Sequence, residues 1–234
     1  YDEGNSGLTG LNGVFDIANR MITMVSGGYM TLYEYQPAVA GYYDGVTYCH
    51  KQLINACTPW NGYYTLDSGY YMNLHFSQFM DKGWSFIYDA CYGDAKVGGD
   101  GHALVDAKYS YITACSAEGD YSTIITNTTS EPITYNFEIA NLAKADNEVY
   151  VWETRGPDEG QEYNANYFKK ISTVTPENGK YSVTIKPYSM ITVSTLNISE
   201  PEFDVPQESD NKLLSLPYTD DFGYSAEFLS PRGT

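Results

Sequence analysis

The chain is short of positive charge. Its 234 residues hold 13 Lys plus Arg against 30 Asp plus Glu, a formal net charge of −17. Phosphate-rich surfaces are met by clustered Lys and Arg, so neither nucleic acid nor an anionic membrane is an expected partner. The acid excess itself reads as solubility. Long apolar runs are missing as well, and no stretch of the sequence reads as an integral membrane segment. No signal peptide is visible. Because the chain opens on Tyr1 and closes on Ser230-Pro231-Arg232-Gly233-Thr234, it reads as a piece of a longer protein, and that absence says nothing about secretion.

Cysteine and histidine are sparse. The four cysteines are Cys49, Cys57, Cys91 and Cys115, with no CxxC and no Cys/His ligand spacing. That pattern offers no metal site, and nothing else calls for a cofactor. An even count permits two disulfides, but buried free thiols are the expected state in a domain this large. His50, His75 and His102 are scattered without an acidic or cysteine partner at useful spacing. His75 lies beside the apolar face of a helix and reads as structural. No nucleophile elbow supports Ser/His/Asp catalysis, and no Gly-rich loop has phosphate-binding spacing.

What is abundant is tyrosine, with 24 residues. Tyrosine suits half-buried strands, since it joins a large apolar ring to a polar tip. It also stacks on the C–H faces of sugars. Most of these tyrosines are expected to be structural, with a minority near a site.

Periodicity divides the chain. Leu11, Val14, Phe15, Ala18, Ile22 and Val25 share one helical face, with Asn12 as cap and Ser26-Gly27-Gly28 as stop. A short strand is expected over residues 30–35, closed by Pro37, which has no N–H for a ladder. Asp67-Ser68 caps a second helix carrying Met72, Phe76, Phe79 and Met80, and Lys82-Gly83 stops it. After Gly83 the period falls to two. Strands are expected over residues 84–91, 109–115, 121–126, 133–139, 149–153, 181–185 and 191–196, joined by turns such as Glu177-Asn178-Gly179. Seven strands without an intervening helix imply an antiparallel sandwich. From Ser199 to Gln207 the chain is Pro- and acid-rich and reads as a linker. Two N-glycosylation sequons occur, Asn127-Thr128-Thr129 and Asn197-Ile198-Ser199.

Several motifs in this order carry a resemblance. They are Gly28-Tyr29-Met30-Thr31, the Tyr42-Tyr43 pair, Tyr48, Pro59-Trp60-Asn61-Gly62-Tyr63-Tyr64 and the Gln78-Phe79 to Gly83-Trp84 helix exit. Val149-Tyr150-Val151-Trp152 and Leu216-Pro217-Tyr218-Thr219-Asp220-Asp221-Phe222 extend it. Together they resemble glycoside hydrolase family 59, the galactocerebrosidases. The resemblance implies an α/β plus all-β fold, the C-terminal part of a TIM (β/α)8 barrel followed by an antiparallel β-sandwich. Residues 1–82 would be barrel, 83–198 sandwich, and 199–234 linker and the start of a lectin-like domain. The rest of the barrel and that lectin-like domain would be its intramolecular partners.

The implied activity is retaining hydrolysis of terminal β-galactosyl linkages in glycolipids or related glycans, at a secreted or extracytoplasmic location. Retention needs two carboxyl groups about 5–5.5 Å apart. The acid/base would lie outside this chain. Glu3, in Asp2-Glu3-Gly4, is the one candidate nucleophile, and an ordinary loop acid is its alternative. Substrate would be lined by Tyr33, Glu34, Tyr35, Gln36, Tyr48 and Trp60. Glu34 could accept from sugar hydroxyls or pair with a buried cation. Gln36 stands where the family has a tryptophan that lines the substrate. Trp60 could touch sugar or form a lid over the barrel rim. Two other readings compete: a non-catalytic carbohydrate-binding or structural sandwich module, and a glucosylceramidase-like retaining hydrolase.

Overall fold

The computed structural model describes residues 12–34, 37–41, 52–58, 63–94, 109–156, 168–202, 217 and 219. Two helices come first. Helix α1, Asn12–Gly28, turns Phe15, Ile17, Ala18 and Ile22 inward. Helix α2, Ser68–Ser77, follows Asp67, which stands at the N-cap in extended conformation. The Asp67 side chain is turned elsewhere, accepting from Gln52 Nε2 at 2.7 Å. Strands β1 (Val39–Ala40), β2 (Ile54–Thr58) and β3 (Tyr63–Leu66) form a small sheet between the helices, with β1 parallel and β3 antiparallel to β2.

The remaining strands are β4 (Ser85–Phe86), β5 (Tyr92–Gly93), β6 (Ser110–Cys115), β7 (Tyr121–Asn127), β8 (Ile133–Glu138), β9 (Val149–Arg155), β10 (Lys169–Val174), β11 (Lys180–Ile185) and β12 (Ser189–Ser194). They form a large sheet in the order β10-β9-β12-β7-β6-β4, with β5 also on β6, and a two-stranded β8-β11 ribbon. Every pairing here is antiparallel. No α-helix interrupts the described residues between β4 and β12.

The large sheet is covered on both sides, which follows from strand geometry. Successive residues point to opposite faces. On one face Ile112, Ile124 and Met190 meet Phe15, Ile22, Met72 and Phe76 of the helices. On the other, Ile125, Val151, Ile191 and Val193 meet Tyr181, Val183 and Ile185 of the ribbon. A third cluster wedges Trp152 and Phe168 against Tyr71 and Phe79 of α2. Each buried aliphatic side chain of this kind contributes about 1.5–3 kcal/mol relative to exposure. The ribbon has only one buried face, so β8 and β11 keep the in-out alternation that β7 and β12 lack.

The expected strand over residues 30–35 does not form within residues 30–34, and Tyr35 lies outside the described residues. Tyr29 leaves α1 in the left-handed region, with φ at 53°, and the chain then runs without a ladder partner among the described residues. A strand is defined by its neighbours, and residues 30–34 have none here. Of the expected strand over residues 84–91 only Ser85–Phe86 is extended in the sheet; a 3-10 turn at Tyr88–Ala90 follows, and β5 begins beyond the expected range at Tyr92. Helix α2 also stops before Lys82-Gly83. Gly83 instead serves the turn that Trp84 N–H closes onto the Asp81 carbonyl at 3.1 Å. Cys91 and Cys115 are free thiols, while Cys49 and the side chain of Cys57 lie outside the described residues.

Asn178 and Gly179 both have positive φ in the tight turn before β11, as a type I′ hairpin requires. A Cβ on Gly179 would lie 2.4 Å from the Ile139 carbonyl oxygen, whereas one on Gly83 would meet nothing within 4 Å. Gly83→Ala is therefore expected to cost only the left-handed penalty, about 1–2 kcal/mol. Gly179→Ala should cost more, since the Ile139 backbone must also move. Comparing the urea midpoints of the two variants with the parent in the full-length protein checks the order.

Candidate functional site

The segment after α1 and the exit of α2 enclose a cleft of about 730 Å³. Met21, Met24 and Val25 of α1 form one wall, Phe76 and Met80 another, and Trp84, Phe86 and Tyr88 a third. Tyr33 lines it and packs on the core shared by α1 and α2. Met30 and Leu32 line it too but remain largely exposed, Leu32 at 75 %. Tyr29 and Tyr88 meet edge to face at 4.8 Å. The cleft is apolar, and its charged members are Asp81 and Lys82. Such a lining can hold an apolar or aromatic surface but cannot by itself perform retaining hydrolysis, which needs a second carboxyl group.

Of the residues expected to face substrate, the structure describes two. Tyr33 is half-buried in the cleft wall, and Glu34 beside it is exposed. Glu3, Tyr35, Gln36, Tyr48 and Trp60 lie outside the described residues. Among the described residues no group of His, Cys, Asp and Glu is arranged to hold a metal ion. No described helix is long and apolar enough to cross a membrane.

The polar chemistry that sequence reasoning missed is a joint beneath α2. His75 is fully buried and bonds on both ring nitrogens, Nδ1 to Thr192 Oγ1 at 2.7 Å and Nε2 to Thr154 Oγ1 at 2.8 Å. Thr154 Oγ1 also accepts from the Phe168 backbone N–H at 3.2 Å. A second such contact joins α1 to the sheet, Thr126 Oγ1 donating to Asn19 Oδ1 at 2.5 Å. Beyond the sheet, Glu153 is buried and receives Arg155 Nε at 3.0 Å and Lys186 Nζ at 3.1 Å. Three of the described tyrosines, Tyr71, Tyr121 and Tyr181, are buried. Tyr121 donates its hydroxyl to Tyr181 at 3.2 Å between the sheet and the ribbon, and desolvation pushes both phenols up. These groups are engaged in packing.

Comparison with known proteins now bears on the fold. The catalytic domain of a family 30 xylanase C from Talaromyces cellulolyticus superposes with a TM-score of 0.57 and 12% identity. The overlap covers 82% of this chain and 37% of that one. A family 30 subfamily 8 xylanase from Clostridium acetobutylicum gives 0.55 at 17% identity, covering 83% of this chain and 40% of that one. The sheet-rich fold is thus shared with part of each of these two structures.

Sequence similarity is narrower. Residues 2–78 match the model of glycosyl hydrolase family 59. Galactocerebrosidase of Danio rerio is 24% identical over 199 residues, 79% of this chain and 28% of that protein. The Macaca mulatta protein is 24% identical over 221 residues, 87% of this chain and 30% of its own length. The human protein is 34% identical over 79 residues, 34% of this chain and 11% of that protein. The chain is therefore galactocerebrosidase-like in sequence, and its residues 2–78 are similar to glycosyl hydrolase family 59. It spans less than a third of the length of these relatives.

Burial holds His75 neutral, with its pKa lowered from 6.5 to about 3. The unfolded chain takes up a proton below its ordinary pKa near 6.5 and the folded chain does not. Stability is then full above pH 6.5 and is lost as pH falls from 6.5 toward 3. His75→Gln should be less stable at neutral pH yet show a flatter decline across that window. Thermal unfolding at half-unit pH steps checks this, and equal slopes in parent and variant would remove His75 as the titrating group.

Proposed function

We propose that this chain is a segment of a retaining glycoside hydrolase of galactocerebrosidase type. Its full-length protein removes terminal β-galactosyl residues from glycolipids or related glycans. One observation carries the reading. The family 59 match over residues 2–78 falls on α1, the segment that follows it and α2, where the last unit of a (β/α)8 barrel is expected. In this reading residues 1–82 close the barrel, 83–198 are the β-sandwich, and 199–234 are a linker and the start of a lectin-like domain. The location is secreted or extracytoplasmic, which suits a glycolipid substrate.

Retaining hydrolysis proceeds in two displacements. A nucleophilic carboxylate attacks the anomeric carbon while an acid protonates the leaving oxygen. Water, deprotonated by the same acid/base, then releases the sugar with its configuration kept. The acid/base comes from the part of the barrel outside this chain. Glu3 is the only nucleophile the family pattern offers within it. In a barrel the site gathers at the C-terminal ends of the strands. Tyr33 and Glu34 follow α1 where the family pattern expects that strand, and the same pattern alone assigns Tyr35, Gln36, Tyr48 and Trp60, which lie outside the described residues, to the site. Tyr33 and Tyr35 supply aromatic faces where Gln36 does not.

The full-length protein should hydrolyse an aryl β-galactoside with retention, seen as the β-anomer appearing first by proton NMR. Inversion, or no turnover at all, would overturn the reading, the second in favour of a non-catalytic module. The chain on its own should be inactive, because one carboxyl group cannot complete the cycle.

Tyr48→Phe removes one hydroxyl, and losing a hydrogen bond from it to the sugar would cost about 0.5–1.5 kcal/mol, or roughly threefold to tenfold in kcat/KM. Tyr48→Ala should cost more, because the ring face goes too. Both variants should keep the parental melting temperature. A lowered melting temperature with kcat/KM intact would make Tyr48 a packing residue instead.

A further inference from the structure

The two sequons occupy opposite environments. Asn127 ends β7 and is fully buried. Its Nδ2 donates to the carbonyls of Glu131 at 2.8 Å, Lys186 at 2.9 Å and Ile185 at 3.5 Å. Its Oδ1 accepts from the Thr129 backbone N–H at 3.0 Å and from Thr129 Oγ1 at 2.7 Å. Both polar atoms of the side chain are committed, and so is the hydroxyl of its own sequon. The amide pins the β7-β8 turn to the end of β11. A glycan on Nδ2 would break those contacts and need space within a packed interior, which has none for even one added group.

Asn197 lies just past β12 in a segment without regular structure, and it is exposed. Ile198 turns inward onto the Trp152 and Phe168 cluster, so its neighbours Asn197 and Ser199 both face solvent. The Asn197 carbonyl Oδ1 accepts from Lys170 Nζ at 3.4 Å, and its Nδ2 has no partner among the described residues. Lys170 stands on β10, which lies at one edge of the large sheet among the described residues, and Ile171 on it is 44 % exposed. An edge strand is an open template for pairing with another chain unless something bulky or charged stands beside it.

We propose that Asn197 is an N-glycosylation site of this protein, that Asn127 is not, and that the glycan shields the β10 edge. The co-reactant is a lipid diphosphate-linked oligosaccharide. The Asn197 Nδ2 forms a bond to the anomeric carbon of that donor, the bond from this carbon to the diphosphate oxygen breaks, the lipid diphosphate leaves, and one amide proton passes to the medium. The assignment rests on the extracytoplasmic location proposed above, since the donor meets proteins only in the secretory lumen.

The test uses the full-length protein, made once with its own N-terminus and once behind a supplied signal sequence in cultured eukaryotic cells. Folded, secreted material is treated with an N-glycosidase in heavy-oxygen water and mapped by peptide mass spectrometry. Asn197 should be converted to heavy-labelled Asp and Asn127 should not. Ser199→Ala should abolish the Asn197 label, remove one glycan mass and leave the melting temperature of the deglycosylated protein unchanged. A label on Asn127 in folded material, or its absence from Asn197 behind the supplied signal, would overturn the assignment. Labelling behind the supplied signal alone upholds Asn197 as acceptor and overturns the extracytoplasmic location instead. Enzymatic deglycosylation should raise concentration-dependent light scattering of the parent protein, and no change would overturn the shielding of β10.

Discussion

Burial of the large sheet on both faces is the constraint from which the rest follows. Strands β7, β9 and β12 have almost no exposed residue, so neither face can be left to water. The helices cover one side and the β8-β11 ribbon the other. Apolar side chains supply most of the stabilisation, but the strands also carry Ser, Thr and Asn at fully buried positions. Each of these needs a partner, because an unsatisfied buried polar group costs about 1–3 kcal/mol. Many of the partners are found across strands and across layers: Ser122 with Ser194 at 2.7 Å, Thr113 with Thr123 at 2.9 Å, and His75 with Thr154 and Thr192, whereas Ser110 Oγ has none among the described residues. Apolar burial brings the layers together, and these bonds fix their register.

This arrangement bears on the boundary that family 59 resemblance draws between barrel and sandwich. The helices assigned to the barrel have their buried faces on the sheet assigned to the sandwich. Among the described residues, then, the two parts that the resemblance separates share one core. A site at the mouth of the barrel would inherit its rigidity from the sheet through Tyr33, which touches both the cleft and that shared core.

How much was legible in the sequence differs by element. The helix α1 was readable because its apolar residues fall on one face, and the ribbon strands because they keep strict alternation. Strand β10 was missed. Its residues are Lys-Lys-Ile-Ser-Thr-Val and nearly all are exposed, so no buried face imposes a period. Strands β2 and β3 were missed between the two expected helices, since half-burial at successive residues also leaves no period. The start of β12 was read two residues late, because a strand buried on both faces has no polar side to mark its end. Residues 30–34 failed in the other direction, having a strand's alternation without a strand's neighbours among the described residues. The structural role of His75 was legible, but its partners were not. Thr154 and Thr192 come together only through the pairing of β9 with β12, which lies beyond any local pattern. Of the candidate site, Tyr33 and Glu34 follow α1 in a stretch that is not the strand expected for them, and the remaining candidates lie outside the described residues.

The central claim is that one doubly covered sheet holds helices and ribbon in a single cooperative unit. Native-state amide hydrogen exchange of the full-length protein, followed against rising denaturant, tests it most directly. Amides of α1, α2, β7, β9 and β12 should converge on one opening free energy with one denaturant slope. Helix amides that exchange through a separate opening, several kcal/mol below that of β7 and β12, would contradict it.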